Sequence, residues 1–119
     1  MATRTPTVTP VATFKDDVHI VQWTGLLNTD DGAPVEMPGS ADRSIQFTGT
    51  FGVGGTVAFE GSNDGVNYAS LTDPQGNAIS KTASGIEAVA EVTRFVRPRV
   101  TAGDGTTNLV ATLLVRRPA

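Results

Sequence analysis

The chain has 119 residues, 39% of them hydrophobic and 18% charged, with thirteen glycines, seven prolines and no cysteine. This length favours one domain burying roughly two thirds of the surface its unfolded chain exposes, and the composition excludes an unstructured polymer, a disulfide framework and a thiolate metal site. The net charge of −3 hides an asymmetry: residues 1–93 hold four basic and eleven acidic side chains, whereas residues 94–119 hold Arg94, Arg97, Arg99, Arg116 and Arg117 against Asp104 alone. Either two surfaces meet different neighbours, or the charges are scattered round a solvated domain.

The first thirteen residues alternate threonine with small residues and contain Pro6 and Pro10. Both features discourage helix, so an extended N-terminal arm over 1–13 is expected ahead of one folded domain over 14–119. Such an arm either frays or becomes ordered along another subunit. The segment lacks the apolar run of a secretory signal, and no window reaches the length that spans a bilayer, so a soluble protein with no membrane partner is expected.

Val18–Thr24 is β-rich and is predicted to end at Gly25, followed by a long turn-rich loop from Leu26 to Asp42 that contains Pro34 and Met37. A loop of that length often serves function or an interface. Ser44–Phe51 alternates clearly, with Ile45, Phe47 and Phe51 on one face and Ser44, Gln46, Thr48 and Thr50 on the other. Gly52, Gly54 and Gly55 then suggest a hairpin into a strand over Thr56–Glu60.

Asn63-Asp64-Gly65 and Asp73-Pro74-Gln75-Gly76 have turn compositions and bracket a short strand over Val66–Leu71, with a further strand near Ile79. In Ile86–Val92 the residues Ile86, Ala88, Ala90 and Val92 are in phase as a buried face. Pro98 places Arg94–Thr101 at a sheet edge or bulge, because it cannot donate to a ladder. Asn108–Arg116 closes the series, with Leu109, Ala111, Leu113 and Val115 sharing one face. Seven or eight short strands without helices are best satisfied by an all-β, antiparallel β-sandwich, immunoglobulin-like or jelly-roll.

Chemistry is sparse. His19 is the only histidine; it sits between Val18 and Ile20, no G-x-S-x-G elbow occurs, and it is read as a strand-face residue near Trp23 with no catalytic role. Asp30, Asp31, Asp64, Asp73 and Asp104 are read as turn-formers, and none of their segments has the spacing of an EF-hand calcium loop. GTFGVGG lacks the lysine and following helix of a phosphate loop. Arg94, Arg97 and Arg99 flank Phe95, but one aromatic in an acidic chain argues against nucleic acid as a partner. Trp23 and Tyr68 are the one aromatic pair open to a glycan-binding role. No catalytic residue, cofactor or metal ligand is assigned.

The segment EGSNDGVNYASLTDPQGN (Glu60–Asn77), with RFVRP at Arg94–Pro98, resembles a pattern in small virion structural proteins of tailed bacteriophages. Glu60–Gly65, Tyr68, Leu71–Asn77 and Arg94–Pro98 carry the likeness, which covers roughly the C-terminal two thirds. The resemblance implies a non-enzymatic capsid decoration, or cement, protein that binds the outer surface of the phage head where major capsid proteins meet. Expected partners are the major capsid protein and a second or third copy of the chain, with assembly in the host cytoplasm. In that role Thr5, Pro6, Val8 and Pro10 of the arm, Pro34 and Met37 of the long loop, and Arg94, Arg97 and Arg99 are the candidate contacts. A tail-associated or glycan-binding sandwich is the alternative.

Overall fold

The structure, a computed structural model, describes residues 1–11 and 17–117. Twelve strands follow in order: β1 Thr3–Arg4, β2 Thr7–Pro10, β3 Val18–Leu27, β4 Asp31–Gly32, β5 Val35–Glu36, β6 Asp42–Thr50, β7 Thr56–Ser62, β8 Ala69–Ser70, β9 Ser80–Lys81, β10 Gly85–Ala88, β11 Phe95–Ala102 and β12 Asn108–Arg116. Five make one sheet in the order β10-β6-β12-β3-β2. The other runs β1-β4-β11-β7-β8, with β5 also on β11 and β9 also on β7.

Counting β4 with β5 as one interrupted strand and β8 with β9 as another leaves eight strands from β3 onward, in two four-stranded sheets whose connections pass repeatedly from one to the other. This is jelly-roll connectivity, built from two Greek keys, and it decides between the two sandwich topologies. The higher count of twelve comes from these interruptions and from two N-terminal strands.

The core lies between the sheets. Alternation sends Val21, Trp23 and Leu26 of β3, Ile45 and Phe47 of β6, Val57 and Phe59 of β7, and Leu109, Ala111, Leu113 and Val115 of β12 inward, all fully buried. Trp23, the largest of them, donates its indole N–H to the Ala33 carbonyl at 2.9 Å, which satisfies the one polar atom a buried indole carries. It therefore offers no exposed surface for a sugar.

Several sequence expectations change, among them the strand over Val66–Leu71, which is reduced to Ala69–Ser70 because Asp64 ties Val66 and Asn67 into the preceding turn. β3 runs through Gly25 to Leu27; across from it β12 steps from Leu109 to Ala111 while β3 steps from Leu26 to Trp23, so an extra residue bulges there, and Gly25 takes φ 65° to make it. The Leu26–Asp42 loop contains β4 and β5. The glycines at 52–55 do not close a hairpin, because β6 and β7 belong to opposite sheets and the segment crosses between them. In 86–92 the phase is reversed: Ile86 and Val92 are exposed and Val89 is buried. Glu87 and Glu91 are satisfied on that inner side by Lys81 Nζ at 3.3 Å and by the N–H and hydroxyl of Thr72.

Pro98 lies in the middle of a sheet. Opposite it, Phe59 turns both backbone groups away, its N–H to the Ile79 carbonyl and its carbonyl to the Leu71 N–H. The Pro98–Phe59 pair thus needs no ladder bond, and the proline nitrogen faces the gap between β5, which pairs with Phe95 and Val96, and β4, which pairs with Arg99. The same interruption that divides the edge strand makes room for the proline.

The segment expected as an arm is extended and pairs within its own chain. β2 lies antiparallel on β3, β1 lies parallel on β4, and Thr5-Pro6 passes between the two sheets. Residues 12 and 13 of the arm, residues 14–16 that follow, and residues 118–119 fall outside the described residues.

Candidate partner-binding surfaces

The N-terminal strap is fixed by Asp30. Its carboxylate accepts the N–H of Leu27 and of Ala2, both at 2.9 Å, and the Arg4 Nε at 2.9 Å, while Asp31 Oδ1 accepts the Thr3 hydroxyl at 2.7 Å. Burial alone would raise the Asp30 pKa; the two backbone donors and the Arg4 guanidinium outweigh it, and the carboxyl is held below its usual range. Of the strap's candidate contacts, Thr5, Val8 and Pro10 are exposed and Pro6 is half-buried. Pro34 is exposed, whereas Met37 packs against the core. The Met37 carbonyl accepts from the buried Arg43 at 2.8 Å, one of three carbonyls, with those of Ser40 and Thr93, that hold this guanidinium. Desolvation lowers the Arg43 pKa.

Of the other three candidates, Arg97 and Arg99 lie on the outward face of β11 and Arg94 immediately precedes that strand. Alternation buries Val96, Pro98 and Val100 and turns Phe95, Arg97 and Arg99 out, opposite Ser62, Glu60 and Ala58 of β7. Arg97 donates Nε to Glu60 at 3.1 Å, reaches Asp31 at 3.5 Å and lies 3.9 Å over the Tyr68 ring. Arg99 meets the other Glu60 oxygen at 3.5 Å. Arg94 pairs with Glu36 and sits 5.0 Å from the Phe95 centroid.

The charge asymmetry of the sequence is thus largely undone by folding, because acids from the first two thirds lie against arginines from the last third. A neighbour would meet alternating signs with two aromatic rings beneath them. The arginines were legible in the sequence; Glu60, Asp31, Glu36 and Tyr68 come from other strands, and no local spacing announces them. Arg97→Ala is expected to cost about 1–3 kcal/mol, between the values for exposed and buried pairs, because Glu60 is almost buried and would keep only Arg99. Urea unfolding reads this directly, and an unchanged midpoint would show that Arg99 alone suffices.

The opposite face of the sandwich differs in kind. Register places Ala88, Ser44, Leu114, Ile20 and Thr9 in one outward row and Ile86, Gln46, Thr112, Gln22 and Thr7 in the next. Neither row contains a charge. Gln22 Nε2 donates to the Thr112 hydroxyl at 3.1 Å, and beyond Leu114 the Arg116–Asp42 pair at 2.7 Å closes one end.

The remaining acids make turns. Asp64 accepts the N–H groups of Asn67 and Val66, the Asn67 amide and the Ser62 hydroxyl, and lies far below the ordinary carboxylate range. Asp73 is lowered first by the Asn77 N–H, and then by that of Gln75. Asp104 is lowered to about 2 by the Thr106 hydroxyl and by the N–H groups of Val53 and Thr106. Its contribution is complete above the unfolded value of 3.8 and is lost as pH falls through about 2. The Val53 amide resonance should therefore hold steady from neutral pH to about 3 and move below it; movement near pH 4 would contradict the assigned bonds.

His19 is half-buried on β3 between Pro10 and Val115. Among the described residues no group of three His, Cys, Asp or Glu side chains could hold a metal ion, and no helix is long and apolar enough to cross a membrane.

No protein-family model and no curated protein matches the chain. Solved structures share its fold. The SPBc2 prophage-derived protein YomS superposes with a TM-score of 0.62 at 10% identity, over 82% of this chain and 93% of that one. Peruvianin-I, a cysteine peptidase from Thevetia peruviana latex, superposes with a TM-score of 0.50 at 12% identity, over 94% of this chain and 60% of that one. The present chain has no cysteine, so it cannot supply a thiolate nucleophile, and both likenesses are of fold.

Proposed function

We propose that this chain is a non-enzymatic structural protein of a bacteriophage particle, a decoration or cement protein that binds the outer surface of the head at contacts between major capsid proteins. The observation that carries the reading is the jelly roll shared with a prophage-derived protein over nearly all of that protein's length. The resemblance of Glu60–Asn77 and Arg94–Pro98 to small phage virion proteins supports it from the sequence side. Stabilising a shell requires buried area and no reacting group, and the polar inventory here goes into turns, ion pairs and the strap.

The face of β11 and β7 is the contact this reading favours. It is of mixed charge, and Arg99 on it and Arg94 beside it are half exposed. The strap becomes a less direct contact than the sequence suggested, since β1 and β2 spend backbone bonds on their own chain. Tyr68 is capped by Arg97 and Trp23 is buried, which leaves the glycan-binding alternative without an open aromatic platform.

The test uses purified shells lacking this protein. Wild-type chain should bind them, and Arg94→Glu with Arg99→Glu should reduce occupancy strongly at low salt, less so as salt screens the contact. Full occupancy by the double variant would remove the arginine face from the interface, and no binding by wild type would remove the decoration role.

A further inference from the structure

We propose that the uncharged outward face of the five-stranded sheet docks a second copy of this chain, sheet against sheet. The inference deepens the reading above, on which it rests for its setting in a particle.

Ile86, Gln46, Thr112, Leu114 and Ile20 belong to two register rows that carry no charge from β10 across to β2, and Val110 with Thr48 continues the face on β12 and β6. Each copy has a net charge of −3, so close approach is opposed generally, and this face brings no like charges into contact. A two-fold interface sets one patch against itself, and a neutral patch is self-complementary without any further design.

The exposed apolar groups sit where such a contact needs them. Leu114 is 38% and Ile86 60% exposed, while the Arg116–Asp42 pair lies at the margin as a polar rim. A two-fold axis across β12 at Thr112 places Leu114 of one copy over Val110 of the other, because these residues lie two positions either side of it.

Area sets the strength. Two rows across five strands about 4.8 Å apart, with part of a third on the central strands, cover roughly 400 Å², so two copies would bury about 800 Å², the size of a weak, transient contact. Association in free solution should then be micromolar and reversible. On a shell, tethering of each copy nearby would raise the effective concentration and fill the contact.

Sedimentation velocity over a concentration series tests this with the full chain. Wild type should pass reversibly from monomer to dimer. Gln46→Lys and Leu114→Arg, each adding a like charge to both sides of the contact, should weaken the dimer by at least about tenfold, and Ser70→Lys on the opposite face should leave it unchanged. Gln46 is exposed and makes no side-chain hydrogen bond among the described residues, so its variant keeps the test independent of folding. A wild type that stays monomeric, a trimer, dimers undisturbed by both face variants, or a dimer broken by Ser70→Lys would each overturn the proposal. A monomer that still occupies shells would leave the decoration reading standing.

Discussion

Trp23→Ala is expected to lower stability by about 3–5 kcal/mol, the range for removing a large aromatic side chain from a close-packed core. Trp23 is fully buried, and its loss opens a cavity where β3 faces β4 and β11. A Cβ added at Gly32 would stand 2.6 Å from Pro98 Cδ and from two atoms of the Trp23 indole, so the three residues are fitted to one another. Gly32→Ala should cost about 1–3 kcal/mol by overpacking, and the two effects should be non-additive, since alanine at 23 vacates the space that alanine at 32 needs. Chemical denaturation of the two single variants and the double variant measures the coupling. Strict additivity would show that Gly32 is not packed on Trp23.

The second large effect falls on the strap. Asp30→Ala is expected to cost about 2–4 kcal/mol, because it deletes a buried carboxylate that accepts two backbone N–H groups and a guanidinium, and leaves the Leu27 N–H unpaired. Hydrogen exchange at Ala2 and Asp31, whose N–H donates to the Ala2 carbonyl, should rise together. The pH dependence has a fixed sign: the folded pKa is lowered from 3.8, so this stabilisation is complete above that value and is lost as pH falls through the lowered one. Protection that is unchanged in Asp30→Ala would mean the strap is held by its sheet pairing alone.

The strands with strong alternation could be read from the sequence. β12 begins and ends at Asn108 and Arg116, and the inward set of β6, Ile45 and Phe47, follows from period two. Which sheet a strand joins is another matter. Alternation identifies a buried face and gives no information on the neighbour across the ladder, so the glycines at 52–55 read as a hairpin although they carry the chain from one sheet to the other. Pro98 misled as to the edge, although β11 does shift register between Val100 and Ala102: a missing donor is costly only on the side where a partner stands, and here that side faces a gap. Ile86–Val92 failed because its glutamates find Lys81 and Thr72 on the inner side, a tertiary gain that hydrophobicity alone does not register.

The candidate surfaces were legible to the same partial extent. Arg97 and Arg99 share one outward face by simple alternation along β11, whereas Arg94 lies one residue before the strand and in the other phase, beside Glu36. Their function as a mixed-charge surface depends on Glu60 and Asp31, brought there by register. The strap illustrates the converse, since threonine and proline predicted extension correctly, but the acceptor that pins it, Asp30, lies more than twenty residues away.

The most direct test of a structural role in a phage particle is electron cryomicroscopy of intact particles assembled in cells that make this chain. Jelly-roll density is expected on the outer surface of the head, at the junctions of major capsid proteins, with β11 and β7 toward the shell. Density confined to the tail, or particles without this chain at all, would contradict that expectation.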